Sequence, residues 1–304
     1  MPVTNLVRRP ASAKARSEAI AGYSFVFPLV ALLLLFVIGP IFYTLYASFT
    51  KWDGISRPVF NGLQNYRKLL GDSVIGREFW NTIFYTFVNV PIKIFLAILL
   101  ANAFNKGVKG KGIFQVAYFT PTIALPVATV LVFQALFHSK YGAVNEVLGF
   151  LRFPQPRWLA EPRLVMWVIV IMVVWAGVGY NAIILYSGLK GIPKSFYEAC
   201  DMDGASEFQK FFHITLPLLT PQVFYVTTVS IIGSMKMFDQ VYLFAKETPL
   251  TEAGIRNMAY GIYQRGFIFF EMGYASAESM LLFALIMVIT LLQFYGQKWW
   301  VHYE

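Results

Sequence analysis

The sequence predicts an all-α polytopic membrane protein with six transmembrane helices, and two observations carry that prediction. Hydrophobic side chains make up 57% of the 304 residues, aromatics 17% and charged groups only 13%, a balance too apolar for a soluble globule. The apolar residues also fall into six runs, each long enough to cross a hydrocarbon core of ~30 Å, which takes about 20 helical residues.

Residues 1–19 form a basic tail, with Arg8, Arg9, Lys14 and Arg16 against Glu18, expected to be flexible and to end in a helix along the membrane surface. The first span is Ile20–Phe49, bent near Gly39-Pro40. It far exceeds the ~7–15 apolar residues of a cleaved signal peptide. The remaining spans are Thr82–Phe104, Ile113–Phe137, Leu164–Ser187, Leu218–Ala245 and Ser276–Gln297. Pro91, Pro121 and Pro126 lie inside spans, where kinks are tolerated if neighbouring groups satisfy the freed carbonyls. The transmembrane domain thus occupies 20–297, and 298–304 form a short C-terminal tail.

Short segments set the orientation. The N-terminal tail and the Asn105–Gly112 loop, which holds Lys106, Lys109 and Lys111 and no acid, fall on one side of a six-span layout. By the positive-inside rule that side is the cytoplasm. Both termini are then cytoplasmic, and Thr50–Asn81, His138–Arg163 and Lys246–Ala275 face outward. Trp52-Asp53-Gly54 and Pro154-Gln155-Pro156-Arg157-Trp158 in these loops suit interfacial anchoring and contact with a docking protein. The net charge of +9 fits cytoplasmic ends against anionic membrane lipid; nucleic acid is a poor partner because the basic residues are scattered.

Several chemistries are excluded. A single cysteine, Cys200, allows no intramolecular disulfide. His138, His213 and His302 offer no metal-ligand spacing, no G-x-x-x-x-G-K-[ST] motif is present, and the spans hold no nucleophile–base set. The chain is expected to bind no metal or cofactor itself and to hydrolyse no ATP by itself.

One polar island interrupts the second half of the chain, Ile192–Pro221. Ser195 precedes Glu198 by three residues, and Ser206 precedes Gln209 by three, so two capping boxes predict two helix starts. Gly204 supplies the left-handed turn between them, and Pro217 is expected to keep the second helix from running on unbroken. The result is a pair of short helices bent at Gly204. Phe208, Phe211 and Phe212, with Ile214 and Leu216 beyond, cluster apolar surface in a solvent loop, which implies a partner. Between Phe196 and His213, Glu198, Asp201, Asp203 and Glu207 oppose Lys210 alone, a local net of 1 − 4 = −3. A basic docking surface is the complement.

Glu198-Ala199-Cys200, three residues, Gly204, nine more and Ile214-x-Leu216-Pro217 resemble the EAA loop of permeases from binding-protein-dependent ABC importers. Asp203-Gly204-Ala205 stand in the usual place, and Cys200 replaces a second small alanine. The outer loop, Phe238-Asp239-Gln240-Val241-Tyr242-Leu243 through Tyr260-Gly261-Ile262-Tyr263 to Gly273-Tyr274-Ala275-Ser276-Ala277, resembles the carbohydrate branch, of the maltose and glycerol-phosphate permease kind. It departs at Lys246-Glu247-Thr248-Pro249, where Gly-Gly-Pro is usual. The resemblance implies a type I importer fold, located in the bacterial inner membrane, with a coupling loop at 190–217. It also implies a second, different permease, two cytoplasmic ATPase copies holding ATP and Mg, and an extracytoplasmic substrate-binding protein. Glu198, Ala199, Asp203, Gly204, Ala205, Phe208, Phe211, Phe212, Ile214, Leu216 and Pro217 would couple to the ATPase.

Polar residues inside the spans mark a candidate solute path, since a charge at mid-bilayer costs about 2.5–3.5 kcal/mol unless it faces a bundle interior or a wet cavity. Lys236 and Asp239, a helical turn apart beside Gln240, either form an i,i+3 ion pair or line the path. Gly177, Tyr180 and Asn181, with Trp175 and Tyr186, offer an aromatic face and an amide suited to a sugar ring. Asn89 and Gln134 complete the set, and Lys93 is expected to pair across helices rather than meet solute. A competing class is an ion- or proton-coupled carrier relaying through Lys236 and Asp239; an intramembrane enzyme is a third.

Overall fold

A computed structural model describes residues 13–107, 110–247 and 251–302. The predicted features at Arg8, Arg9, Lys109, Thr248 and Pro249 lie outside them. Helix α1, Ala13–Leu33, starts within the expected tail and runs without interruption into a π turn, Leu34–Ile38, and α2, Gly39–Ser48. The turn is the local form of the expected bend: Pro40 lacks an N–H, and the Gly39 N–H reaches back five residues to Leu34. This first span exposes nearly all its apolar surface, and only α2 packs back, against the last helix of the chain. A two-stranded ribbon follows, β1 (Thr50–Lys51) antiparallel to β2 (Val59–Phe60), then α3, Gln64–Gly71.

The second span is α4, Ser73–Asn105, capped by Asp72, whose carboxylate accepts from the Val74 N–H. At 1.5 Å per residue it is about 50 Å long. The third span differs from expectation. It is two helices, α5 (Lys111–Ile123) and α6 (Pro126–Leu136), crossing at 103°. Pro126 forces the preceding residue out of the helical region, and Ala124 and Leu125 are both extended. Pro121, by contrast, is absorbed inside α5. After α7, Ala143–Phe150, the fourth span is α8, Pro162–Gly191.

Helix α9, Lys194–Met202, leads to α10, Glu207–Lys210, which continues through a π turn, Phe211–Thr215, into α11, Leu216–Met235. Two expectations change here. Pro193 is the cap residue of α9, so Ser195 already has helical geometry and caps nothing. The second helix is interrupted beside Pro217 by the π turn, where the Leu216 N–H bonds the Phe211 carbonyl, but it does not end there as a short helix. The short second helix is thus the leading end of the fifth span. That span breaks at Lys236–Phe238 and resumes as α12, Asp239–Glu247. Helices α13 (Glu252–Ile255) and α14 (Met258–Tyr263), with a π turn at Gln264–Ile268, precede the sixth span, α15, Met272–Gly296. Among the described residues five helices are long and apolar enough to cross a membrane, and the count is six where the bent α5–α6 pair is taken as one span.

The most extensive pairing is α4 on α8, and α5 also lies on α8. Gly179 permits the second contact, since a Cβ there would sit 1.8 Å from the Tyr118 carbonyl oxygen. Two apolar cores form along α4 and α8. One holds Tyr85, Phe133, Val174 and Met237, and the other holds Val90, Val178, Ile231 and Met235. At the Ser73 end of the bundle, a buried ion network that the sequence did not disclose ties three segments together. The Arg256 Nε donates to Glu78 at 2.9 Å, and Arg265 reaches both Glu78 at 2.9 Å and Glu278 at 2.8 Å. Both carboxylates are fully buried. The Asn81 amide and Thr82 hydroxyl bond the backbone at Arg256 and Met258, so the loop is also held through its main chain. Removing one partner of such a network leaves an uncompensated buried charge, at a cost of about 3–5 kcal/mol. Glu78→Ala is accordingly expected to lower the thermal midpoint of the solubilised protein well below that of the exposed-pair variant Glu271→Ala, measured by intrinsic fluorescence.

Candidate functional site

Two features stand out, a cavity within the bundle and an elbow at its end. The cavity has a volume of about 440 Å³ and is walled in part by Tyr85, Val173, Met237 and Phe238 of the first apolar core. Its wall on α8 is Gly177, Tyr180 and Asn181, at i, i+3 and i+4, hence one helical face. The broken fifth span supplies Lys236, Phe238, Asp239 and Gln240. The predicted residues on these two elements therefore converge. No ion pair joins Lys236 to Asp239 among the described residues: Lys236 ends α11, Asp239 starts α12, and both are exposed to the cavity rather than stacked on one helix.

Other predicted residues lie elsewhere. Asn89 is fully buried beside the cavity, where its side-chain oxygen accepts from Ser234 Oγ at 3.2 Å and its amide donates to the Tyr85 carbonyl. Asn181 likewise donates to Ser230 Oγ at 3.3 Å. Two serines one turn apart on α11 thus lock it to α4 and α8; they escaped the sequence reading because serine is common in apolar helices. Gln134 sits on α6 away from the lining, its amide nitrogen buried without a partner. Trp175 packs on Phe133 and Tyr186 on Phe104 and Lys111, so neither joins the cavity. Lys93, expected to pair across helices, meets no acid; it lines the cavity, as does Tyr85.

The elbow is built by two local motifs. Gly204 has φ +72°, and the Gly204 and Ala205 N–H groups bond the Asp201 and Cys200 carbonyls at 3.1 and 3.0 Å, closing α9 in a Schellman turn with Asp203 as its C-cap. Ser206 then caps α10: its Oγ accepts from the Gln209 N–H, and Gln209 Oε1 accepts from the Ser206 N–H at 2.8 Å. Lys210 pairs with Asp201 and Glu207, bracing one arm on the other, and Lys106 pairs with Glu207 at 3.0 Å. Tyr197 and Thr215 hydroxyls meet at 3.1 Å.

On this frame Phe208 and Phe212 stand exposed with ring centroids 4.6 Å apart, Phe208 at 72% of its full accessibility. Phe211 is half-buried, Leu216 and Pro217 partly so, and Ile214 points into the bundle core. Glu198 and Ala199 are exposed, while Cys200 packs inward, which is why a small side chain is needed there. Met202, 88% exposed, adds to the apolar surface; a lone methionine at a helix end carries no periodic signal.

A family model described as the binding-protein-dependent transport system inner membrane component matches residues 69–299. The chain belongs to that family. Among relatives of this inner membrane component is the arabinooligosaccharides transport system permease protein of Bacillus subtilis, 34% identical, with 91% of this chain and 88% of the relative covered. The lactose transport system permease protein of Rhizobium radiobacter is 31% identical over 94% of this chain and 97% of its own length. A solved bacterial alginate ABC transporter, in complex with an alginate pentasaccharide-bound periplasmic protein, superposes with a TM-score of 0.84 over 95% of this chain and 97% of that one, at 18% identity. That likeness shows a shared importer-permease fold.

The capping box makes a local prediction. Ser206→Ala removes one cap bond, worth about 1 kcal/mol. Amide hydrogen exchange at 207–210 should quicken, whereas Ser206→Asp, which still caps, should keep the protection.

Proposed function

We propose that this chain is one of two permease subunits of an ATP-driven, binding-protein-dependent importer for a sugar or sugar-like solute. It would supply half of the translocation path and the joint to the ATPase. The observation that carries the mechanism is continuity. From Glu207 through the π turn to Met235 the chain is one helical rod about 40 Å long. One end of the rod bears the exposed phenylalanines, and the other opens into the break at Lys236–Phe238 on the cavity wall. Rotation of the elbow is thereby delivered to the residues that face solute.

In this reading the elbow faces the cytoplasm, and the exposed Phe208 and Phe212 seat in a groove of one of two ATPase copies, which hold ATP and Mg. Nucleotide-driven closure of the ATPase pair swings the elbows and turns the paired permeases outward-open. A loaded binding protein delivers solute from the opposite side. There, Asp53 accepts from the Ile55 and Ser56 N–H groups, bonds that hold its carboxyl down at about 2 and fix the Trp52-Asp53-Gly54 turn. The relatives' arabinooligosaccharide, lactose and trehalose/maltose systems support the sugar class. They give no support to an ion-coupled carrier, and Lys236 and Asp239 form no relay pair.

The test is at the elbow. Proline at 204 cannot adopt φ +72° and removes the N–H that bonds Asp201. In the reconstituted importer, Gly204→Pro is expected to insert with its partners yet lose ATP-driven uptake and the stimulation of ATPase activity by loaded binding protein. Normal ATP-driven uptake by this variant contradicts the proposal, and uptake that follows the membrane potential and ignores ATP favours a carrier.

A further inference from the structure

The cavity holds two polar groups that no other part of the chain explains. Lys93 is buried to 7% exposure on α4 and, among the described residues, no hydrogen bond or carboxylate reaches its ammonium. Tyr85, two turns earlier on the same helix face, is 1% exposed, and its hydroxyl also lacks a partner. Both line the cavity. Lys93 further lines an adjoining space of about 210 Å³ along the Ala124–Leu125 break.

The stem of Lys93 is placed by its neighbour across the helix pair. A Cβ at Gly177 would come within 2.9 Å of Lys93 Cδ, so glycine at 177 is what lets the lysine lie across α8. The charged lining is Lys93 and Lys236 against Asp239 alone, 2 − 1 = +1. A neutral hydroxyl surface is matched by amides, hydroxyls and aromatic faces, as Asn181, Gln240, Tyr180 and Phe238 provide. An uncompensated ammonium at bilayer depth is costly, and faces a solute path or a counter-charge.

We infer that the cavity selects an acidic saccharide, whose oxyanion is received by the Lys93 ammonium while its neutral face lies along Tyr180 and Asn181. This rests on the reading of the chain as a sugar-importer permease. Lysine presents a point charge rather than the planar fork of arginine, so a carboxylate or a sulfate ester would satisfy it, and the assay separates the two.

The intact importer, with both permeases and ATPases in lipid nanodiscs and without binding protein, is titrated with digalacturonate, a mono-sulfated galactobiose and neutral galactobiose. At least one anionic probe should bind ten-fold or more tighter than the neutral one; the carboxylate outranking the sulfate assigns a uronic acid, and the reverse a sulfate ester. Lys93→Met should remove the preference, Lys93→Arg should keep it, and Asp239→Asn should increase it. Equal affinities in the wild type, as expected if the second permease neutralises Lys93, overturn the inference, as does an unchanged preference in Lys93→Met. Binding of no probe overturns it too. Binding-protein-stimulated ATPase activity of the same wild-type nanodiscs reports the importer reading separately, so failure of the selectivity leaves that reading standing.

Discussion

A hydrocarbon environment offers backbone N–H and C=O groups no partners, so a chain that crosses it must stay helical except where protein or water covers the gap. Both departures from that rule in this bundle, Ala124–Leu125 in the third span and Lys236–Phe238 in the fifth, border the same cavity region. Side chains repair what the breaks release. Asn257 donates to the Met237 carbonyl, and the Thr129 hydroxyl donates to the Leu125 carbonyl at 3.2 Å. The irregular backbone thus lies where cavity and side chains cover it, and the rest of the bundle holds these stretches in register.

That holding is distributed along the long axis of α4. At the Ser73 end, the Glu78, Arg256, Arg265 and Glu278 network fixes the segment before the sixth span. At the Asn105 end, Lys106 touches the elbow through Glu207. Between them, Asn89 and Asn181 tie α11 to α4 and α8 with hydrogen bonds of modest individual worth, about 0.6 kcal/mol each in membrane helices. The ties of α11 to α4 and α8 are thus individually weaker than the buried ion network at the Ser73 end.

The long apolar spans, the bend at Gly204 and the capping box at Ser206 were legible in the sequence because each depends on local chemistry. The EAA spacing was legible because it is long and gapped. Three other features were not. Whether a proline kinks or breaks a helix depends on its neighbours: Pro121 and Pro126 look alike in the sequence, yet only the second ends a helix. Ser195 satisfies the capping pattern two residues too late, because Pro193 is already the cap. Lys93 and the buried arginine–glutamate network depend on partners far away in the chain, and a one-dimensional charge pattern cannot say whether a lysine in a span has found an acid or faces a cavity.

The central claim is that the elbow governs access to a cavity at the break in the fifth span. Gly233 lines that cavity, and a Cβ there would meet nothing within 4 Å, so Gly233→Cys in a Cys200→Ala background places a lone reporter thiol in this chain. Labelling of the assembled importer, its other chains cysteine-free, with a membrane-impermeant thiol reagent from the binding-protein side measures the claim directly. The account predicts strong labelling when ATP is trapped and little in the nucleotide-free state. Labelling that is the same in both states would contradict it.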